Sequence, residues 1–237
     1  MEKAIEIRNL YKFYGEKQAL NNLSFVVEKG TIHGLLGPNG SGKSTTLNIL
    51  IGLVLKTYGN AHIEGKVVAE DPYFSESLAF VCAEPKFPDF SVEDYVLACA
   101  TLRGISESEA LEKLDNNSVL AKLRKSKCKE LSTGEKKTLQ LFVASLYKPE
   151  IIVLDEPYNG LDISAQNILT SELFKIKKRG GSVLISTHIM SYLEELVDSI
   201  TLIKEGKVVF SGSKTSNIKE IYKKHFSEEK DHSLFSF

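Results

Sequence analysis

Ile32-His33-Gly34-Leu35-Leu36-Gly37-Pro38-Asn39-Gly40-Ser41-Gly42-Lys43-Ser44 is the stretch whose reading decides the fold. Its first five residues are a short apolar run, the pattern of a buried strand. The next eight fit G-x-x-x-x-G-K-[ST], and a helical pattern over Thr46 to Leu55 follows, so the motif stands between strand and helix as it must. Its glycines let the backbone wrap around phosphate with N–H groups pointing inward, and the positive end of the next helix adds to that field. Gly37, Pro38, Asn39, Gly40, Ser41, Gly42, Lys43, Ser44 and Thr45 are therefore the expected phosphate cradle. Lys43 would reach the β- and γ-phosphates of a nucleoside triphosphate, and the Ser44 hydroxyl would bind Mg²⁺.

Outward from this cradle the chain alternates strand and helix. Upstream lie the strand-like segments Ala4–Ile7 and Leu23–Val27, with a turn at Glu28-Lys29-Gly30. Downstream, His62–Val68 and Leu78–Cys82 read as strands around Gly59 and Gly65. Between about Glu84 and Pro149 the pattern turns helical. Ser91-Val92-Glu93-Asp94 and Ser106-Glu107-Ser108-Glu109 both open with a capping Ser answered three residues later by an acid. Alternation then resumes with a strand over Ile151–Leu154, a helix from Asp162, a strand over Ser182–Ser186, a helix from Ile189 and a strand over Ser199–Lys204. Glu205-Gly206-Lys207 is a hairpin turn into Val208–Phe210, and a short polar helix and tail are expected from about Ser211. Such alternation implies an α/β fold with a mainly parallel sheet, which the phosphate loop makes a P-loop NTPase core, with an inserted α-helical subdomain; an antiparallel β subdomain beside it is what the family resemblance of the motifs further along the chain implies. The expected division of the single domain 1–237 is core and β subdomain over 1–83 and 150–212, helical subdomain over 84–149, and a short C-terminal tail over 213–237.

Bulk properties limit the possibilities. The 237 residues suffice for one large domain with a proper core, and 42% hydrophobic with 26% charged residues is an ordinary globular mix. Thirty Lys and Arg nearly balance 31 Asp and Glu, for a net charge of −1, which argues against a broad electrostatic grip on nucleic acid. No apolar run approaches the ~18–20 residues that span a bilayer, and Met1–Arg8 does not fit a signal peptide. Cys82, Cys99 and Cys128 show no disulfide or metal spacing and read as free thiols in a reducing cytosol. His33, His62, His225 and His232 show no ligand spacing and are assigned no role.

Ile151-Ile152-Val153-Leu154-Asp155-Glu156 is an apolar strand ending in two carboxylates. The carboxyl ends of parallel strands line the ligand crevice, so this pair should face the phosphates. Asp155 is placed to hold Mg²⁺, commonly through a water. Glu156, pointing differently, can orient or deprotonate an attacking water.

About twenty residues earlier, Leu131-Ser132-Thr133-Gly134-Glu135 resembles the signature motif of ATP-binding cassette (ABC) proteins, usually LSGGQ. It is also a capping box opening a helix over Lys136–Tyr147, with Leu139, Phe142, Val143 and Leu146 on one face. Asn159-Gly160-Leu161-Asp162 resembles the D-loop of that family, Ser186-Thr187-His188 its switch-histidine motif, and Tyr14 ahead of Gly15 the aromatic that stacks on adenine. The resemblance spans about Ile5 to Gly212. It implies ATP and Mg²⁺ as cofactors, Glu156, His188 and Lys43 as the catalytic residues, and an opposing subunit whose ATP meets Ser132, Thr133, Gly134 and Glu135. Asp162 would touch that subunit. The pair, a homodimer or a heterodimer with a similar chain, would energise a separate integral membrane permease from the cytoplasmic side, in the manner of a bacterial exporter, without nucleic acid. A soluble assembly ATPase, such as one in iron–sulfur assembly, and a slow regulatory ATP switch are the alternatives.

Four positions, in three places along the chain, depart from the family pattern. Ala83, with Glu84 beside it, stands where a Gln is usual, Thr133 and Glu135 replace Gly and Gln, and Thr138 replaces an Arg. Two further segments admit two readings each. The run Lys122–Lys129 is a solvated basic face or a contact for acidic partners. Pro85–Phe90 offers Phe87 and Phe90 either to the permease or to the core.

Overall fold

The computed structural model describes residues 2–71, 76–213 and 218–226. In chain order the elements are β1 (Lys3–Tyr14), β2 (Lys17–Glu28), β3 (Ile32–Leu36), α1 (Lys43–Leu50), β4 (Tyr58–Ile63), β5 (Lys66–Val67) and β6 (Leu78–Val81). The helical stretch holds α2 (Val92–Leu102), α3 (Glu107–Asp115) and α4 (Thr133–Ser145). Then follow β7 (Ile151–Asp155), α5 (Ile163–Lys178), β8 (Ser182–Thr187), β9 (Ser199–Lys204), β10 (Lys207–Ser213) and α6 (Ile218–Phe226).

Six strands form one sheet in the order β10-β9-β3-β8-β7-β6, and four form another in the order β2-β1-β4-β5. In the first, β3 pairs in parallel with β8 and β9, β7 with β8 and β6, and only β10 runs antiparallel. Every residue of β3, β7 and β8 is buried, as strands covered on both faces must be. The second sheet is antiparallel, so the mixed α/β class with its mainly parallel sheet is the one expected.

Three apolar clusters hold these layers. Ile5, Ile7, Leu20, Leu23 and Val27 of the antiparallel sheet meet Leu47 and Leu50 of α1 and Leu35, Val153 and Leu184 of the parallel sheet. On the opposite face, Leu36, Ile152, Leu154 and Ile185 pack with Leu169, Leu173 and Ile176 of α5, and with Ile218 and Phe226 of α6. The buried members of the third cluster come from residues 92 to 146, including Val92, Val96, Leu114, Leu120, Leu139 and Leu146, with Phe87 packed against them. Burying a side chain of this size contributes roughly 1.5–3 kcal/mol, so the helical stretch has a core of its own.

Several element boundaries differ from those expected. The helix expected over Thr46–Leu55 starts at Lys43 and stops at Leu50. Gly52, at φ 76°, closes it: Leu53 N–H donates to Asn48 at 2.9 Å and Gly52 N–H to Ile49 at 3.0 Å, the paired bonds of a Schellman end. His62–Val68 is a hairpin rather than one strand, turning at Glu64-Gly65. The segment after Ile189 is a 3₁₀ turn (Met190–Tyr192) followed by turns, not an α-helix. Its tight Leu193→Met190 and Leu196→Leu193 bonds bring Leu193, Leu196 and Val197 into the core within a short crossover. β10 continues to Ser213, because Thr201 and Ser211 hydroxyls meet at 2.8 Å across the pair. Of the expected tail, residues 214–217 and 227–237 lie outside the described residues.

Both expected caps in the helical stretch form: Ser91 accepts from Asp94 N–H and Ser106 from Glu109 N–H. The lysines of the basic run, Lys122, Lys125, Lys127 and Lys129, are solvent-exposed, as a solvated face requires, and several of its charges pair within the chain. Arg124 bonds Glu93 and reaches Asp115 at 2.8 Å, Lys125 reaches Glu93 at 3.1 Å, and Lys129 reaches Asp89 at 3.0 Å. These pairs join residues 124–129 to the start of α2, the end of α3 and the segment just before α2.

Candidate functional site

β3, β8 and β7 lie side by side and end together, so the loop after β3, His188 after β8 and Glu156 after β7 converge at one edge. Two close approaches shape the loop that enters α1. A Cβ on Gly37 would sit 2.3 Å from the Ile203 carbonyl oxygen, and Gly42, at φ 110°, would bring one within 2.7 Å of Leu20. Only glycine fits at either position. Lys43 is buried, and its ammonium donates to the Gly37 carbonyl at 2.7 Å and the Pro38 carbonyl at 3.2 Å. Burial lowers its pKa, while Glu156 and Asp155 act in the opposite sense. Ser44 is exposed at the helix start, and the Ser41 hydroxyl is buried without a partner.

Asp155 is buried at the end of β7, where one carboxylate oxygen accepts from the Ser186 hydroxyl. Glu156 stands beyond it in the left-handed region at φ 45°. For a residue with a Cβ this conformation costs about 1–3 kcal/mol and persists only when neighbours hold it. Its N–H donates to the Ser186 carbonyl at 3.1 Å. Its Oε1 lies 2.8 Å from His188 Nδ1 and 3.8 Å from Lys43 Nζ, while Oε2 is buried with no partner. Lys43, Asp155, Glu156 and His188 therefore stand around one space. Glu156 Oε2, buried there, lacks a partner among the described residues, and the exposed Ser44 hydroxyl and the Asp155 carboxylate are hard oxygen donors. That set fits a phosphorylated ligand carrying Mg²⁺.

Tyr14 is 47% exposed at the end of β1, with Lys12 Nζ 4.7 Å from its ring centre. Tyr11 instead packs edge-on to Tyr58. Ser132 caps α4 in a complete capping box with Glu135, whose pKa falls because the Ser132 backbone N–H and hydroxyl bond its carboxylate. Among the described residues, no hydrogen bond links Ser132, Thr133, Gly134 or Glu135 to the phosphate loop of the same chain. Asp162 caps α5, accepting from Ala165 N–H at 2.8 Å. Glu84 is exposed and Ala83 half-buried. Phe87 packs edge-on to Tyr95 against the helical core, as one of the two expected readings had it, and Phe90 is 44% exposed.

Three contributors had no role assigned from sequence. Ser186 holds Asp155, and Lys137 joins α4 to the loop after Glu156. Gln140, in the amide orientation that satisfies both groups, brackets the Cys82 backbone at 2.9 and 3.2 Å. Lys137 and Gln140 fall on the amphipathic pattern of α4 as ordinary polar residues, so no local signal marks them. His33 is structural: it stacks on Phe25, and bonds to Ser199 and Thr201 accompany a burial that depresses its pKa to about 3.

The family model described as ABC transporter matches residues 20–159. The chain is 35% identical to the lantibiotic transport ATP-binding protein SrtF of Streptococcus pyogenes over 231 residues, 95% of this chain and 99% of that one. It is 37% identical to the Nod factor export ATP-binding protein I of Burkholderia orbicola, across 88% of this chain and 70% of the relative. A solved structure of the ATP-binding subunit of an ABC transporter superposes with a TM-score of 0.84 at 28% identity, covering 94% of this chain and 93% of that one.

Proposed function

The chain belongs to the ABC transporter family, and from that premise we propose that it is the ATP-hydrolysing subunit of an exporter whose membrane permease is a separate chain. The observation that carries the proposal is the convergence of Glu156, His188 and Lys43 at the shared strand edge, with His188 Nδ1 2.8 Å and Lys43 Nζ 3.8 Å from the same carboxylate oxygen.

In this reading the triphosphate lies in the loop 37–45, with its negative charge met by backbone N–H groups and the Lys43 ammonium. Adenine stacks on the exposed ring of Tyr14. Ser44 and Asp155 would hold Mg²⁺, Asp155 through a water, and the ion when bound neutralises phosphate charge. Glu156 accepts the proton of the attacking water, and His188 fixes the carboxylate and the γ-phosphate side of the site. The Ser132–Glu135 helix start makes no bond to its own phosphate loop, so it is free to serve the ATP of a second, opposing subunit. Asp162 lies on the way to that subunit. We divide the chain into a nucleotide-binding core with β subdomain over 1–83 and 150–212, a helical subdomain over 84–149 and a C-terminal part over 213–237.

No described helix is long and apolar enough to cross a membrane, which suits a subunit held at the cytoplasmic face by its permease. A groove of about 360 Å³ between β6 and the helical stretch, lined by Phe80, Tyr95, Cys99, Leu102, Arg103 and Tyr147, would receive a permease helix. Leu102, 84% exposed, presents an apolar side chain there. The exporters named among the relatives favour export over import.

The purified chain is expected to release phosphate from ATP slowly, and to stop when Mg²⁺ is removed with EDTA. Release at the level of a protein-free blank would remove the hydrolytic reading. It would leave the second one, an ATP-driven switch without useful turnover, which Ala83 favours because an alanine side chain can hold neither a metal nor a water.

A further inference from the structure

Lys137 is a buried lysine in the second turn of α4, yet among the described residues it has no carboxylate at salt-bridge distance. Its ammonium donates instead to three carbonyls of one short turn: Glu156 at 2.9 Å, Pro157 at 3.3 Å and Asn159 at 2.6 Å. An ammonium has three donors, and here each has an acceptor. Burying the cation is costly unless every donor is satisfied, so the three carbonyls and the lysine fix one another. Burial lowers the pKa of Lys137, the Glu156 and Asp155 carboxylates acting against that fall.

The turn held in this way is the one that begins with Glu156 in its left-handed conformation. The carbonyl of Glu156 points back to α4, while its side chain reaches His188 on the other side. The same two elements also run close together elsewhere: a Cβ on Gly160 would come within 3.0 Å of the Thr133 methyl. The loop 156–160 is thus bonded to α4 through Lys137 and packed closely beside the helix start.

We propose that Lys137 is a positioning residue for hydrolysis: its ammonium couples the signature helix α4 to the backbone of Glu156, so the attitude of that helix sets where the Glu156 carboxylate stands. The inference rests on the reading of Glu156 as the base. It also gives a route between the two sites of a pair: a helix start facing one ATP adjusts the base serving the other.

The test compares Lys137→Met, which keeps the apolar stem, with Lys137→Gln, which restores two donors without the charge. Steady-state hydrolysis by the intact purified chain is measured over a range of Mg-ATP concentrations. Hydrogen exchange at residues 158–161 is followed in parallel. Misplacing a reacting group by about 1 Å costs ~10²-fold, so the Met variant should lose roughly 30- to 100-fold in kcat with KM little changed. The Gln variant should lose about 3- to 10-fold, since two of the three donors remain. Exchange should quicken in 158–161 but not in α2 or α5, which a general loss of stability would not produce. Wild-type kcat in a folded Met variant overturns the coupling. If the Met variant does not fold, wild-type kcat in the Gln variant does so. A wild-type chain with no hydrolysis above the blank would instead remove the reading of Glu156 as base, so the two failures are distinguishable.

Discussion

Glu156→Gln is expected to lower steady-state phosphate release by roughly 10²- to 10⁴-fold, the range supplied by a positioned general base. The amide has nearly the shape of the carboxylate and can still face His188 Nδ1, which lies 2.8 Å from Glu156 Oε1. It can also keep the backbone at φ 45° and its bonds to Ser186 and Lys137, since these use main-chain atoms. What it cannot do is take a proton from water. Affinity for Mg-ATP should therefore change by less than about threefold, or roughly 0.7 kcal/mol. Phosphate release and a fluorescent-nucleotide titration on the same preparation separate the two effects. Unchanged turnover would mean that another group takes the proton, and the strain at Glu156 would then need another explanation.

Lys43→Ala should damage both binding and turnover. The ammonium sits inside the loop against the Gly37 and Pro38 carbonyls, where phosphate oxygens can be reached in a site shielded from water. Charge-assisted bonds of this kind contribute about 1.5–3 kcal/mol, so nucleotide affinity should fall by roughly 10- to 100-fold. Turnover should fall further, by roughly 10³-fold or more, because charge on the transferring phosphoryl group is stabilised most in the transition state. Lys43→Arg should not rescue it, since the planar guanidinium cannot occupy a pocket shaped by two close carbonyls. Wild-type affinity in the alanine variant, read by the same titration, would place the phosphates elsewhere.

How far the sequence alone leads depends on how local each signal is. The phosphate loop could be read because glycines 37 and 42 serve close backbone approaches, and a sequence of glycines ahead of Lys-Ser states that directly. The acid pair could be read because β7 is apolar throughout and ends at Asp155. The capping box of α4 was equally plain. The end of α1 was misplaced because hydrophobic spacing continues past Gly52 while the backbone does not. The missing helix after Ile189 has the right residues for a helix, but too little chain between β8 and β9 to accommodate one as well as bury Leu193, Leu196 and Val197. Lys137, Ser186 and Gln140 were beyond local reading altogether. Each acts on a residue at least 19 positions away, and only the packing of α4 and β8 against β7 and β6 brings those partners within reach.

The central claim, that this ATPase drives a separate membrane permease, is tested most directly by affinity purification of the tagged chain from detergent-solubilised native membranes with ADP·vanadate present. A polytopic membrane protein should be recovered in near-equal amount, and Leu102→Glu, which puts a charge in the groove beside β6, should lose it while retaining nucleotide binding. Recovery of soluble partners only, or of the chain alone, would contradict the claim and leave an ATPase or ATP switch with a different task.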